Sequence, residues 1–218
     1  MRRRYAAARG CGRLRVLTQF ASRLRWGPLE SRRARGLVRL HDVLARTGFH
    51  ARYWIFLGLL LGCMRGGAPI RWDLDSDFAF LDRDLPQFLS ALTALRHDGF
   101  DLRPLQINND GRTTKWALRH EGVKYEFFQL DVRGTMLRWH FHRRHPSLEF
   151  VNEIPAHGLA SFELYGRRFM IPDNPEQQLA LLYGDWRTPH PGYAYWRDCR
   201  ATVARHAWTG VRHTPPPA

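Results

Sequence analysis

Three aspartates at alternate positions, Asp73, Asp75 and Asp77, stand together in a chain with only 20 acidic residues among 218. They close the segment "GLLLGCMRGGAPIRWDLDSDF", residues 58–78, behind an apolar run rich in glycine. Successive side chains of a strand point to opposite faces. An extended 73–80 therefore lines one side with the three acids and turns Leu74, Ser76, Phe78 and Phe80 to the other. Three of those four are apolar, which predicts a strand at a core edge, its carboxylates facing a cleft and Leu74 facing the core. Clustered carboxylates repel one another and cost stability unless a cation neutralises them. Oxygen donors at this density suit Mg²⁺ or Mn²⁺ holding phosphates. An EF-hand also opens on D-x-D-x-D, but it needs Gly at its sixth position and Glu at its twelfth. Here those positions hold Phe78 and Asp84, and the flanks read as strand. Gly58, Gly62, Gly66 and Gly67 let the backbone approach a ligand closely just ahead of the acids.

Phosphoryl transfer at a metal site calls for a further carboxylate from a neighbouring strand. The run "VKYEFFQLDV" offers Glu126 between Tyr125 and Phe127, and Asp131 near its end. An acid set among aromatics is costly to bury without a partner, so Glu126 is the preferred third ligand. The competing reading pairs it with an arginine.

The elements that must position these residues follow from periodicity. Leu37, Leu40, Val43 and Leu44 recur at helical spacing and predict an amphipathic helix over 33–47. "ARYWIFLG" reads as a buried strand that leads into a turn or helix start. Leu85, Phe88, Leu89, Leu92 and Leu95 predict a second amphipathic helix, with Asp84 as its cap and Gly99 as its stop. "RTTKWALRH" and "VKYEFFQLDV" predict a hairpin turning at Glu121-Gly122. "SFELYGRRFMI" predicts another at Tyr165-Gly166. "PDNPEQQLALLYGDW" reads as a helix capped by Asn174, opened by Pro175 and ended by Gly184. The set predicts an α+β fold, a mixed β-sheet flanked by helices in one domain over 33–210. Residues 1–32 read as a loosely packed arginine-rich extension and 211–218 as a disordered tail.

Composition narrows the function. The 44% hydrophobic and 13% aromatic content is that of a folded chain. The longest apolar run, "YWIFLGLLLGCM", falls short of the about 20 residues a bilayer span needs. Cys11, Cys63 and Cys199 are odd in number and widely spaced, which argues against a disulfide framework or a cysteine zinc site. The N-terminal stretch lacks the apolar core of a secretory signal, so a reducing cytoplasm is expected. Residues 1–40 hold twelve arginines against one acid, Glu30, and so carry most of the net charge of +14. That places the charge on an arm rather than across the domain. The arm could touch an anionic membrane or a polyanionic substrate, or be solvated arginine-biased chain.

The same residues carry a resemblance. "GLLLGCMRGGAPIRWDLDSDF" is similar to the LicD family signature, a G-T-L-L-G turn and an Arg-Gly-Gly segment ahead of W-D-x-D-x-D. "YEFFQLDV" resembles that family's D-I-F-P-L-D strand. "RFMIPDNPEQQLALLYGDWRTP" resembles its closing V-P-x-N helix that ends in Y-G-D-W and a proline. One block alone is weak; three in order are specific. The resemblance, which extends to the fukutin and fukutin-related superfamily, implies a nucleotidyltransferase-like fold. It implies a transferase that moves phosphocholine or a polyol phosphate from a CDP-activated donor to a sugar hydroxyl of a cell-surface glycan. By the same resemblance Asp75, Asp77 and Glu126 are the catalytic, metal-binding acids, with Mg²⁺ or Mn²⁺ between them and the donor pyrophosphate. Asp77 or Glu126 is then the base. Gly58, Leu59, Gly62, Arg65, Gly67 and Trp72 fall in the donor-binding block. Asp73, Asp131, Tyr183, Asp185 and Trp186 are secondary candidates.

Three departures from the family pattern are visible. Leu59 stands where a hydroxyl residue is usual, which raises an altered donor choice or an inactive relative. Leu74 replaces a frequent Asp, and Glu126 replaces Asp. No specific nucleic-acid partner is expected; a membrane contact would use the N-terminal arm. His140, His142 and His145 in "RWHFHRRH" permit zinc only with a fourth ligand that no spacing supplies; contact with phosphate or acceptor suits them better. A metal-dependent glycosyltransferase shares the D-x-D logic, but the chain lacks a Rossmann-like opening. A polyanion-binding module would use the arm and ignore the acids.

Overall fold

A computed structural model describes residues 11–210 and 212–213, with side chains from 27 to 210. The first ten residues and most of the expected tail, 211 and 214–218, lie outside the described residues. The first described element is a helix, α1 (Cys11–Arg46), which begins well before the expected start at 33 and runs through Pro28. The expected boundary at residue 32 therefore falls inside one continuous helix. The segment after the proline is tied down: Leu29 packs on the core and Glu30 accepts a 2.6 Å hydrogen bond from Arg71. The apolar stripe of Leu37, Leu40, Val43 and Leu44 is fully buried, as its spacing requires.

The predicted buried strand is β1 (Tyr53–Ile55), followed at once by α2 (Leu57–Gly66). The acidic segment becomes β2 (Asp75–Leu81), and after a 3₁₀ turn over Asp82–Asp84 comes α3 (Leu85–His97). Asp84 occupies the cap position without making a cap hydrogen bond; its carboxylate instead accepts from Arg52 at 2.5 Å. Leu89, predicted to face the core, is exposed, while Phe88, Ala91, Leu92 and Leu95 form the buried stripe. Short strands β3 (Asp101–Leu102) and β4 (Leu105–Ile107) precede the long pair β5 (Thr113–His120) and β6 (Val123–Arg133). That pair turns at Glu121-Gly122, both with positive φ, as predicted. A second long hairpin, β7 (Met136–Arg143) with β8 (Leu148–Pro155), extends the sheet. The pair β9 (Leu159–Leu164) and β10 (Arg167–Pro172) turns at Tyr165-Gly166. Then come α4 (Pro175–Tyr183), α5 (Tyr195–Asp198), β11 (Thr202–Ala207) and β12 (Arg212–His213). The Asn174 side chain accepts from the Gln177 N–H, the cap its sequence predicts.

Ten strands make one mixed sheet among the described residues. Its pairs are antiparallel except β2 with β6, which run parallel and bring Asp77 level with Glu126. This is the expected α+β class. One face of the β2–β6 pair sends Phe78, Phe80, Tyr125 and Phe127 into a core shared with α1, α2 and α3. Phe78 and Phe127 stack at 5.0 Å. The other face sends Ala79, Phe128 and Leu130 into a second core with Leu137, Trp139 and Leu182, and beside it carries the acids.

Among the contacts that hold α1 against this frame, two lie at its buried face. Arg33, buried in the interior, donates to the carbonyls of Asp73 at 2.6 Å and Ile70 at 2.8 Å. Gly36 lies where an added Cβ would stand 1.9 Å from the Tyr125 hydroxyl. Gly36→Ala must then push α1 off the sheet or turn Tyr125 out, and overpacking of this kind costs roughly 1–3 kcal/mol. A denaturant melt is expected to show that loss with the m-value little changed.

Candidate active site

The acids do not lie on one uninterrupted strand. The chain turns through Arg71 and Trp72, the Asp73 N–H donates to the Ile70 carbonyl at 3.1 Å, and Arg33 clamps both carbonyls of the turn. Extension begins only at Asp75. Leu74, expected in the core, is accordingly 62% exposed. Asp73 enters the site from the turn rather than from the strand.

Asp75 and Asp77 share a face of β2, and the parallel register sets Asp75 beside Lys124 and Asp77 beside Glu126. Ligand oxygens of Asp75, Asp77 and Glu126 all lie within 4.8 Å of one another. β5 adds Lys115 on the same face. Each Glu126 oxygen takes an ammonium, Lys115 at 2.7 Å and Lys124 at 3.2 Å, and Lys124 also reaches Asp75 at 2.7 Å. The partner of Glu126 is thus a pair of lysines, not the arginine weighed from sequence. They are the only two lysines among 34 basic side chains. Their pairing is a cross-strand relation that no local spacing discloses.

Asp77 is 8% exposed and accepts the Gly58 N–H at 3.3 Å. That N–H belongs to the first turn of α2, whose positive end faces the acids. Gly58 lets the acids approach the helix closely: a Cβ there would sit 2.8 Å from Asp73 Oδ2 and 3.5 Å from Asp77 Oδ2, so that Asp73 would have to shift. Burial, then the charges of Asp75, Glu126 and Asp73, hold the Asp77 carboxyl well above the usual carboxylate range. Burial, with Asp75 alongside, pushes Asp73 up to about 7. Burial also opposes ionisation of Asp75, but Lys124 prevails and lowers its pKa. Burial works against the charge on Lys124, yet Glu126 and Asp75 outweigh it and raise its pKa. The cluster is therefore short of positive charge, and its donors are all carboxylate oxygens. That set fits a hard divalent ion.

These groups floor a cleft of about 810 Å³. Its walls include Leu57, Gly58, Leu61 and Arg65 of α2, the 70–74 turn with Trp72, and the segment from Tyr183 to Tyr195 with Asp185. Arg65 donates to the Trp186 carbonyl and, at 3.2 Å, to that of Thr188, which ties α2 to the closing segment. Other predicted residues lie off the cleft. Leu59 is 1% exposed and packed in the core. Gly62 admits the 68–70 backbone, where a Cβ would meet the Ile70 nitrogen at 2.6 Å. Gly67 ends α2 in the left-handed conformation. Asp131 pairs with Arg112, and the Trp186 side chain is core. His140 and His142 share Glu149, at 2.5 Å and 3.5 Å, away from the acids.

Sequence reasoning missed the aromatic end of the cleft: Phe128, Phe141, Tyr193 and Tyr195 join Tyr183 there. Tyr183 and Tyr193 lie 5.0 Å apart, Phe141 and Tyr195 4.7 Å. The cluster "PGYAYW" was the available signal, but the loop path that folds it back could not be read from spacing.

Residues 50–174, more than half of the chain, match the family model described as LicD/FKTN/FKRP, nucleotidyltransferase domain. The match contains the α2 turn, all four acids and both lysines. No curated protein matches the chain. No helix among the described residues is long and apolar enough to cross a membrane.

An acid with a raised folded-state pKa keeps its proton longer in the folded chain than in the unfolded one. Folding is then progressively disfavoured as pH rises through that interval. For Asp73 the interval runs from about 4 to about 7. In chelator-treated protein, Asp73→Asn is expected to gain stability relative to the unsubstituted chain across that range in thermal melts, and to gain none below it.

Proposed function

We propose, from the premise that this chain belongs to the LicD/FKTN/FKRP nucleotidyltransferase-domain family, that it transfers a phospho-alcohol from a CDP-activated donor to a sugar hydroxyl of a glycan. The observation that carries the reading is the oxygen triad of Asp75, Asp77 and Glu126 on the floor of the cleft, beside the first turn of α2. Divalent ions held by that triad, Mg²⁺ or Mn²⁺, would neutralise the donor pyrophosphate and the charge that develops on the leaving CMP.

The chain's own groups supply the rest. The Gly58 turn brings backbone N–H groups and the positive end of α2 toward the phosphates. Because Leu59 points into the core, backbone rather than a hydroxyl would make that contact. Arg65 braces the closing segment and adds positive charge at the wall. The aromatic end accommodates the base or the alcohol, and Trp72 at the rim is available to stack. Glu126 is held by the buried Lys115, while Asp77 accepts the single N–H of Gly58. Asp77 is therefore the better placed of the two to take the proton of the attacking hydroxyl. In-line attack transfers the phospho-alcohol, CMP departs, and positioning with electrostatics provides most of the acceleration. A cytoplasmic enzyme acting on cell-envelope glycan fits the reading. The arginine-rich residues 1–32 would then meet an anionic membrane face.

Turnover with a panel of CDP-alcohols, UDP-sugars alongside, tests this. CDP-alcohol hydrolysis or transfer should require Mg²⁺ or Mn²⁺, and Asp75→Asn/Asp77→Asn should reduce it by at least about 10³-fold. Turnover of a UDP-sugar with no response to any cytidine donor would instead assign a glycosyltransferase.

A further inference from the structure

The lysine pair is at odds with the rest of the chain. Arginine supplies every other positive side chain, including those of the buried Arg33 and the surface pairs. Both lysines contact the metal-fitting acids. An arginine fork is rigid, broad and bidentate; an ammonium is a compact point charge on a flexible stem that can release one partner and take another. The two are not equivalent in setting. The Lys115 side chain is 9% exposed and its Nζ lies 5.3 Å over the Phe128 ring, so packing holds it on Glu126. The Lys124 side chain is 40% exposed and bridges Asp75 and Glu126, two of the three residues of the triad.

We infer that Lys124 is a built-in counter-cation: it holds Asp75 and Glu126 together when no divalent ion is present, and yields both carboxylates when one binds. A divalent ion on the triad needs the same oxygens that Lys124 occupies, 2.7 Å and 3.2 Å from its nitrogen. The two cations therefore compete. The exposed stem lets the displaced ammonium swing toward the mouth of the cleft. The Lys115 contact with Glu126 survives the exchange, so the carboxylate stays oriented. This makes the metal-free fold tolerable, because four clustered acids would otherwise face one another with a single cation. It also sets metal affinity below what the bare triad would give. The inference rests on the proposed metal site.

Binding of Mn²⁺ alone, followed by the loss of the free-ion EPR signal, tests it on the full chain. Lys124→Met is expected to bind Mn²⁺ about tenfold tighter or more, because no ammonium has to be displaced. Lys124→Arg, whose bidentate fork yields the carboxylates less readily, should bind Mn²⁺ more weakly than the unsubstituted protein. Arg35→Met, which removes a remote surface charge paired with Glu121, should leave affinity unchanged and so control for net charge. In thermal melts Lys124→Met should be less stable than the parent in chelator and regain most of that loss in Mn²⁺, which a merely unfolded variant could not do. Equal or weaker Mn²⁺ binding by Lys124→Met overturns the counter-cation role and leaves the metal site standing. Absence of Mn²⁺ binding in every variant overturns both.

Discussion

Asp77 and Glu126 lie abreast on a parallel strand pair, one carboxylate against another and both nearly shut off from solvent. Like charges so placed repel one another and disfavour the folded state. Most of the local architecture answers that constraint. The first turn of α2 turns an N–H and its positive end onto Asp77. Two lysines hold both oxygens of Glu126. The hydrophobic frame behind the pair, Phe78 stacked on Phe127 under α3, keeps the strands from drawing apart to relieve the repulsion. The negative charge gathered in this cleft is what the proposed divalent cation and polyanionic donor would neutralise together.

The scaffold secures this arrangement from far along the chain. Arg33 reaches from α1 to the carbonyls of the acidic turn, so that Asp73 is presented by a clamped bend while Asp75 and Asp77 come from a strand. Arg65 joins α2 to the segment after α4, which closes the far wall. The cleft is thus bounded by elements separated widely in sequence and linked by guanidinium–carbonyl hydrogen bonds. Those contacts need the fork of arginine, where the acids need the compact ammonium of lysine.

Features encoded by local pattern were legible in the sequence. The hairpin turns at Glu121-Gly122 and Tyr165-Gly166, the Asn174 cap and the buried stripe of α1 each follow from neighbouring residues. Glu126 was singled out by the cost of burying a carboxylate among aromatics, and the fold brings it beside Asp75 and Asp77. What escaped was set at long range. The late start of β2 depends on Arg33, forty residues upstream, and this is why Leu74 ends in solvent. The helix ahead of residue 33 is anchored where Leu29 and Glu30 find partners in the fold. The lysine pairs depend on strand register. β7, β8 and β11 form one flank of the sheet, and their mixed burial patterns lack a clean alternation. The aromatic end of the cleft depends on a loop path. Leu59 was legible as a missing hydroxyl but not as a side chain that leaves the cleft for the core.

The proposed function requires Asp75, Asp77 and Glu126 to act as one oxygen-lined metal centre at the donor phosphates. Anomalous diffraction from crystals grown with Mn²⁺ and CDP tests it most directly. The expected result is a peak in the cleft about 2 Å from an oxygen of each of the three residues, with the CDP phosphates adjoining it and Lys124 drawn off Asp75. CDP and Mn²⁺ bound elsewhere, or a cleft without a peak and with Lys124 still bridging Asp75 and Glu126, would contradict it.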